Sequence, residues 1–178
     1  MNGKVLIPLL TLLAFSSPVR AGDLWPLLGG GDTVLPGGDV VYVLRGNGST
    51  SVNVALSFGP ATGEGYTSLT LRAFKFSGSL TPAELTLFAG NVIRVAAECF
   101  NIDPARGPAL QAWVLSNDAQ EQNIYFTAGT RTAKQAFGPL RLELEKRSSA
   151  RGHTVGVSLS RAGVPGVAPW VKSCLASG

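Results

Sequence analysis

Two cysteines, one histidine, two neighbouring glutamates, a basic turn and one aromatic pair are the residues of this chain whose types and spacing could do chemistry. Cys99 and Cys174 are its only cysteines. In an oxidising compartment they have only each other for an intramolecular bond, which would pin the C-terminal tail to the end of the longest helix. His153 stands alone, and one histidine builds neither a multi-histidine metal site nor a Ser-His-Asp signature. Glu143 and Glu145 share a strand face, as a pair of catalytic acids would. They alternate with Arg141 and Arg147, so a solvated, charge-balanced face is expected there. No G-x-S-x-G elbow, P-loop, dinucleotide-binding or calcium-loop pattern occurs. The reading is non-catalytic, with no cofactor and no metal.

Two surfaces are candidates for binding. Leu110–Ser116 and Asn123–Ala128 read as a hairpin in which Val114 faces Ile124 and Ala112 faces Phe126. That register puts Trp113 opposite Tyr125 on the polar side, with Leu115 beside them, a candidate partner-binding surface. Lys146, Arg147 and Arg151 cluster around a turn and could meet an anionic surface such as lipid headgroups or an acidic partner.

The elements that must position these groups follow from patterning. Leu80 to Phe100 is the one convincing long helix. Thr81 fits the N-cap, Pro82 the first helical position and Glu84 the returning acid of a capping box. Leu85, Phe88, Ala89, Val92, Ile93, Val95, Ala96, Cys99 and Phe100 share one face, with Glu84, Asn91, Arg94 and Glu98 opposite. Gly90 is the helix's weak point.

The rest reads as strands. Val40–Gly46 and Ser49–Phe58 flank Asn47-Gly48, read as a two-residue turn that sets Val43 opposite Val52 and Val41 opposite Val54. In the third strand, Thr67–Phe76, the in–out phase slips between Leu71 and Phe74, which suggests a bulge. Gly129–Gly138 reads as a polar connection of no assigned structure. Leu140, Leu142 and Leu144 alternate with charges. They pair through a four-residue loop, Ser148–Arg151, with Val155 and Val157, so that Leu144 meets Val155. The order βββ-α-ββββ implies one α+β domain: an antiparallel, curved sheet of about seven strands packed around one central helix.

Residues 1–21 have the build of a secretory signal peptide: Lys4, the apolar Val5–Phe15, and a small-x-small site ending at Ala21. Removing it takes Lys+Arg from 15 to 13 against 11 acidic residues, so the net charge falls from +4 to +2. That balance gives no nucleic-acid footprint. Residues 22–39, with Pro26, Pro36 and two Gly-Gly-Asp repeats, read as a flexible or loosely docked arm, and 40–178 as the domain. The expected protein is thus exported, periplasmic or secreted, and serves as an interaction or assembly domain. Its expected partner is a protein or an apolar ligand, with peripheral contact to an anionic membrane surface. The alternative is a carrier holding an apolar ligand between helix and sheet, and behind it stands a hydrolase with a site assembled from distant loops.

Overall fold

The structure is a computed structural model that describes residues 22–28, 33–34, 39–119, 129–149 and 152–175. Helix α1, Pro82–Cys99, forms where the sequence places it, and its start is the expected capping box. The Glu84 amide donates to the Thr81 hydroxyl at 3.2 Å, and the Thr81 amide donates to the Glu84 carboxylate at 2.6 Å. Leu85, Phe88, Ala89, Val92, Val95, Ala96 and Cys99 are buried along one side. Eighteen residues make roughly 27 Å of helix. Asn91 is a correction. Expected on the outer face, it is 3% exposed, accepting from the Tyr42 hydroxyl at 2.8 Å and donating to the Leu27 carbonyl at 2.8 Å. A buried amide needs such partners on both its ends.

Six long strands form the antiparallel sheet that α1 covers: β1 Val40–Arg45, β2 Ser51–Phe58, β3 Ser68–Lys75, β4 Gly129–Phe137, β5 Leu140–Ser149 and β6 Gly152–Arg161. Their spatial order is β1-β2-β3-β6-β5-β4, and the two-residue strand Thr33–Val34 joins the edge at β1. Ala61–Thr62 and Gly65–Tyr66 make a separate small ribbon.

The α+β class with a curved antiparallel sheet therefore holds, while the proposed element order does not. Leu110–Ser116 is helical, inside α2 (Gly107–Ala119). Leu110 and Val114, both fully buried, stand four residues apart. That spacing satisfies a two-residue alternation and one helical face equally. Pro108 in the first turn and the Ala, Leu and Gln that follow favour the helix. A 3₁₀ turn at Pro104–Arg106 leads in, with the Asp103 carboxylate accepting from the Ala105 amide at 2.9 Å. The expected partner strand, 123–128, lies outside the described residues.

Conversely, the segment expected to be a polar connection, Gly129–Gly138, holds strand β4. It is an edge strand whose inward positions are Arg131, Ala133, Gln135 and Phe137, and only Phe137 is buried. An edge strand needs little apolar pattern to pair on one side.

Two hairpin registers also shift. Gly46 and Thr50 close the first turn, so Leu44 faces Val52 and Tyr42 faces Val54. The loop is three residues with Gly48 at φ +66°, not the two-residue turn expected. A one-residue slip exchanges faces: Val40, Tyr42 and Leu44 go inward, and Val41 and Val43 outward. Between β5 and β6 the turn is shorter than expected, pairing Ser149 with Gly152 and Leu144 with Val157. A shift of two leaves the faces unchanged. Gly152 has φ +136°, and a Cβ there would come within 2.0 Å of the Lys75 carbonyl oxygen, so only glycine lets this turn close against β3.

The first and last described strands join one corner of the core. Gly22–Asp23 runs parallel to Cys174–Leu175, and the Leu24 amide donates to the Leu175 carbonyl at 3.2 Å. Leu24 and Leu28 are fully buried, so over 22–28 the expected loose arm is part of the core. The disulfide Cys99–Cys174 ties the tail to the end of α1 across 75 residues of sequence. Beside it, the Trp170 indole donates to the Cys99 carbonyl at 3.0 Å. The buried Arg161 guanidinium donates to the carbonyls of Phe100 at 2.5 Å and Pro169 at 3.2 Å, and packs 5.1 Å from the Trp170 ring centroid. Burial lowers the Arg161 pKa from its ordinary value. Its position at the carbonyl end of α1 complements the helix dipole.

Candidate interaction surface

Alternation along each strand and the registers between strands assign every sheet side chain to a face. The inward face holds Val40, Tyr42, Leu44, Val52, Val54, Leu56, Leu69, Leu71, Ala73, Leu142, Leu144, Val155, Val157 and Leu159, all buried in one cluster with α1. No described helix covers the other face. Its residues line up in rows across the sheet. One row runs Val43, Asn53, Phe74, Thr154, Arg147, Thr130. The next runs Val41, Ala55, Arg72, Gly156, Glu145, Thr132.

The centre of this open face is held by hydrogen bonds. Arg72 donates to the Ser57 hydroxyl at 2.8 Å, and the Thr70 and Ser158 hydroxyls lie 2.9 Å apart. The Arg72 stem lies across Gly156, where a Cβ would stand 3.3 Å from its Cγ. Towards β4 the face is ionic: Lys134 pairs with Glu143 at 3.1 Å, and Arg147 pairs with Glu145. The two glutamates thus face basic partners, the arrangement of a solvated face. At the outward strand positions stand five basic residues (Arg45, Arg72, Lys134, Arg141 and Arg147) and two acidic ones (Glu143 and Glu145), an excess of three positive charges.

At the opposite corner the face turns aromatic. Phe74 and Phe76 lie 5.5 Å apart in a T-shaped pair, and Phe76 is 79% exposed. It heads a run of exposed residues, Phe76-Ser77-Gly78-Ser79, between β3 and α1. Gly152 of the basic turn abuts it, with a Cβ position 3.2 Å from the Phe76 carbonyl carbon. The sequence carried this signal in the phase change after Leu71. There is no bulge: β3 pairs continuously with β6 from Ser68 to Lys75, Ala73 holds the core position, and the phenylalanines face outward.

Among the described residues, the binding candidates read from sequence are spread over α2 and β5. Trp113 lies on α2, half-buried, with its ring 6.0 Å from that of Phe137. Leu115 is also half-buried against the core, and Tyr125 is outside the described residues. The cross-strand pair is therefore replaced by a helical Trp113 packed on an edge-strand aromatic. Of the basic turn, Arg147 is exposed on the open face, Lys146 points to the inward side and is half-buried, and Arg151 is outside the described residues. His153 lies in register with Lys75 and Ser148. Cys99 and Cys174 are bonded. Among the described residues no group of three or more His, Cys, Asp or Glu is placed to hold a metal ion, and no helix is long and apolar enough to cross a membrane.

Comparison with known protein families, with curated proteins and with solved structures finds no match.

Proposed function

We propose that this is an exported, non-catalytic interaction domain of the cell envelope or secreted fraction, freed from its leader near Ala21 and working through the open face of its sheet. The observation that carries the reading is Phe76. A phenylalanine 79% exposed, edge-on to a second aromatic, is a costly surface for a chain with no use for it. The disulfide supports export, because such bonds persist in oxidising compartments. The helix–sheet interface lends less support to an apolar-ligand carrier. Its side chains bury one another in a single cluster, and its polar member, Asn91, is bonded to Tyr42 and Leu27.

The test is site-specific photo-cross-linking in the cells that make the protein. Probes at the exposed outward positions Ser51 and Ser160 should yield adducts, and a probe at Ala83 on the exposed side of α1 should not. Equal adducts from both sides, or none from the open face, would overturn the reading.

A further inference from the structure

We propose that the partner of the open face is an anionic lipid surface, met by Phe76 as an apolar wedge between two arginines; this rests on the reading that the open face is the working surface. The geometry comes from the registers. Arg45 pairs with Ser51 at the end of β1, Asn53 pairs with Phe74, and the Phe76 ring lies 5.5 Å from that of Phe74, which brings it to the Ser51 end of the sheet. Arg45 therefore lies two strands from Phe76 on one side. Arg147, one row back, lies two strands from Phe74 on the other, through Thr154. Neighbouring strands are about 4.8 Å apart, so each guanidinium is anchored roughly 10 Å from the aromatic pair.

That spacing suits a bilayer interface. The phenyl ring can enter the acyl boundary while arginines on either side stay at headgroup level, their long stems lying along the sheet. Beyond Phe76 the loop is Ser77-Gly78-Ser79, small and uncharged, so the ring can descend without burying a charge. Of the acids nearest this corner, Glu84 is paired with Lys75 at 3.0 Å, and Glu145 holds Arg147 in an exposed ion pair that a headgroup phosphate would share. The outward strand positions keep their excess of three positive charges, which complements an anionic leaflet. The Gly22–Asp23 and Cys174–Leu175 pairing and the disulfide lie at the far end of α1, away from this corner. A flat polar protein partner would use the hydroxyl-rich centre of the face and would gain little from a protruding phenylalanine. A soluble polyanion would use the arginines and ignore the ring. Only a surface with both charge and an apolar interior uses the two together.

The experiment is co-sedimentation of the exported, oxidised chain with phosphatidylcholine vesicles and with vesicles of phosphatidylcholine mixed with phosphatidylglycerol. Binding is expected on the mixed vesicles only, weakening as salt is raised. Phe76→Ser should weaken it about tenfold or more, the worth of burying one aromatic. Arg45→Gln and Arg147→Gln should each weaken it roughly fivefold. All three positions are exposed, and an unchanged unfolding midpoint verifies that the variants are folded. No binding to the mixed vesicles, equal binding to neutral ones, or binding that Phe76→Ser leaves intact would overturn the proposal. If vesicles fail while open-face probes still cross-link a protein, the lipid inference falls and the interaction surface stands.

Discussion

Arg161 is the side chain whose removal should cost this fold most for its size. The last residue of β6, it is 6% exposed and inserted between the last carbonyls of α1 and the chain following β6. Arg161→Ala removes a charged donor from the carbonyls of Phe100 and Pro169, and a longer contact at 3.4 Å to Asn101. Hydrogen bonds to charged groups contribute about 1.5–3 kcal/mol each. The lost cation–π contact with Trp170 adds about 1 kcal/mol. Against this stands the burial cost of the charge, visible in its lowered pKa and in an Nε with no hydrogen-bond partner. The balance is a loss of about 3–5 kcal/mol, the range found when one side of a buried polar cluster is deleted. Arg161→Lys keeps the charge but not the fork that reaches several carbonyls, so it should lose about 1–2 kcal/mol. Urea unfolding of the oxidised protein, followed by circular dichroism, measures both. A loss below about 1 kcal/mol for Arg161→Ala would refute the reasoning, because the carbonyls would then be satisfied without it.

Gly90 is exposed on α1 with nothing within 4 Å of where a Cβ would stand, so Gly90→Ala should raise stability by about 0.5–1 kcal/mol in the same unfolding assay. The Glu84 carboxyl sits below its ordinary pKa: partial burial pushes it up, but the Thr81 amide, the Lys75 ammonium and the Thr81 hydroxyl outweigh that. Its contribution is therefore present above the unfolded value of about 4.3 and is lost as pH falls through the lower folded value. Glu84→Gln should flatten the acid limb of an unfolding-midpoint titration. Intact mass before and after reduction should show both cysteines protected. Cys174→Ser should cost about 2–4 kcal/mol, since the bond closes a loop of 75 residues. Trp113→Ala should lower stability by about 2–3 kcal/mol through lost packing on Phe137, measured by the unfolding midpoint.

What could be read beforehand was what local chemistry decides. Thr81, Pro82 and Glu84 announce a helix start through contacts within three residues, and the apolar stripe from Leu85 to Cys99 has no competing period. Cys99 and Cys174 had no other choice. The misread elements were settled by distant contacts. Leu110 and Val114 fit two periods, and burial against α1 chose the helical one. The inward phase of β1 depended on one residue of turn length, and burying Tyr42 required Asn91, forty-nine positions away, to receive its hydroxyl. Phe74 and Phe76 looked like a fault in a core pattern because a hydrophobic residue was expected to point inward. The phase change after Leu71 fits a bulge and an outward phenylalanine equally, and the continuous pairing with β6 decides for the second.

The parallel pairing of Gly22–Asp23 with Cys174–Leu175 has a consequence for how the chain can be re-cut. Because residues 22–23 and 174–175 lie side by side, a chain cut to 22–175 could be closed by a short linker without disturbing either strand. New ends could then be opened at Asn47–Gly48, where the turn is exposed and nothing packs within 4 Å of the Gly48 Cβ position. Such a circular permutant would keep every strand and the Cys99–Cys174 bond, yet would carry its free ends on the corner that bears Phe76. Any fused reporter would then ride at that corner instead of at the far end of α1, about 27 Å of helix away.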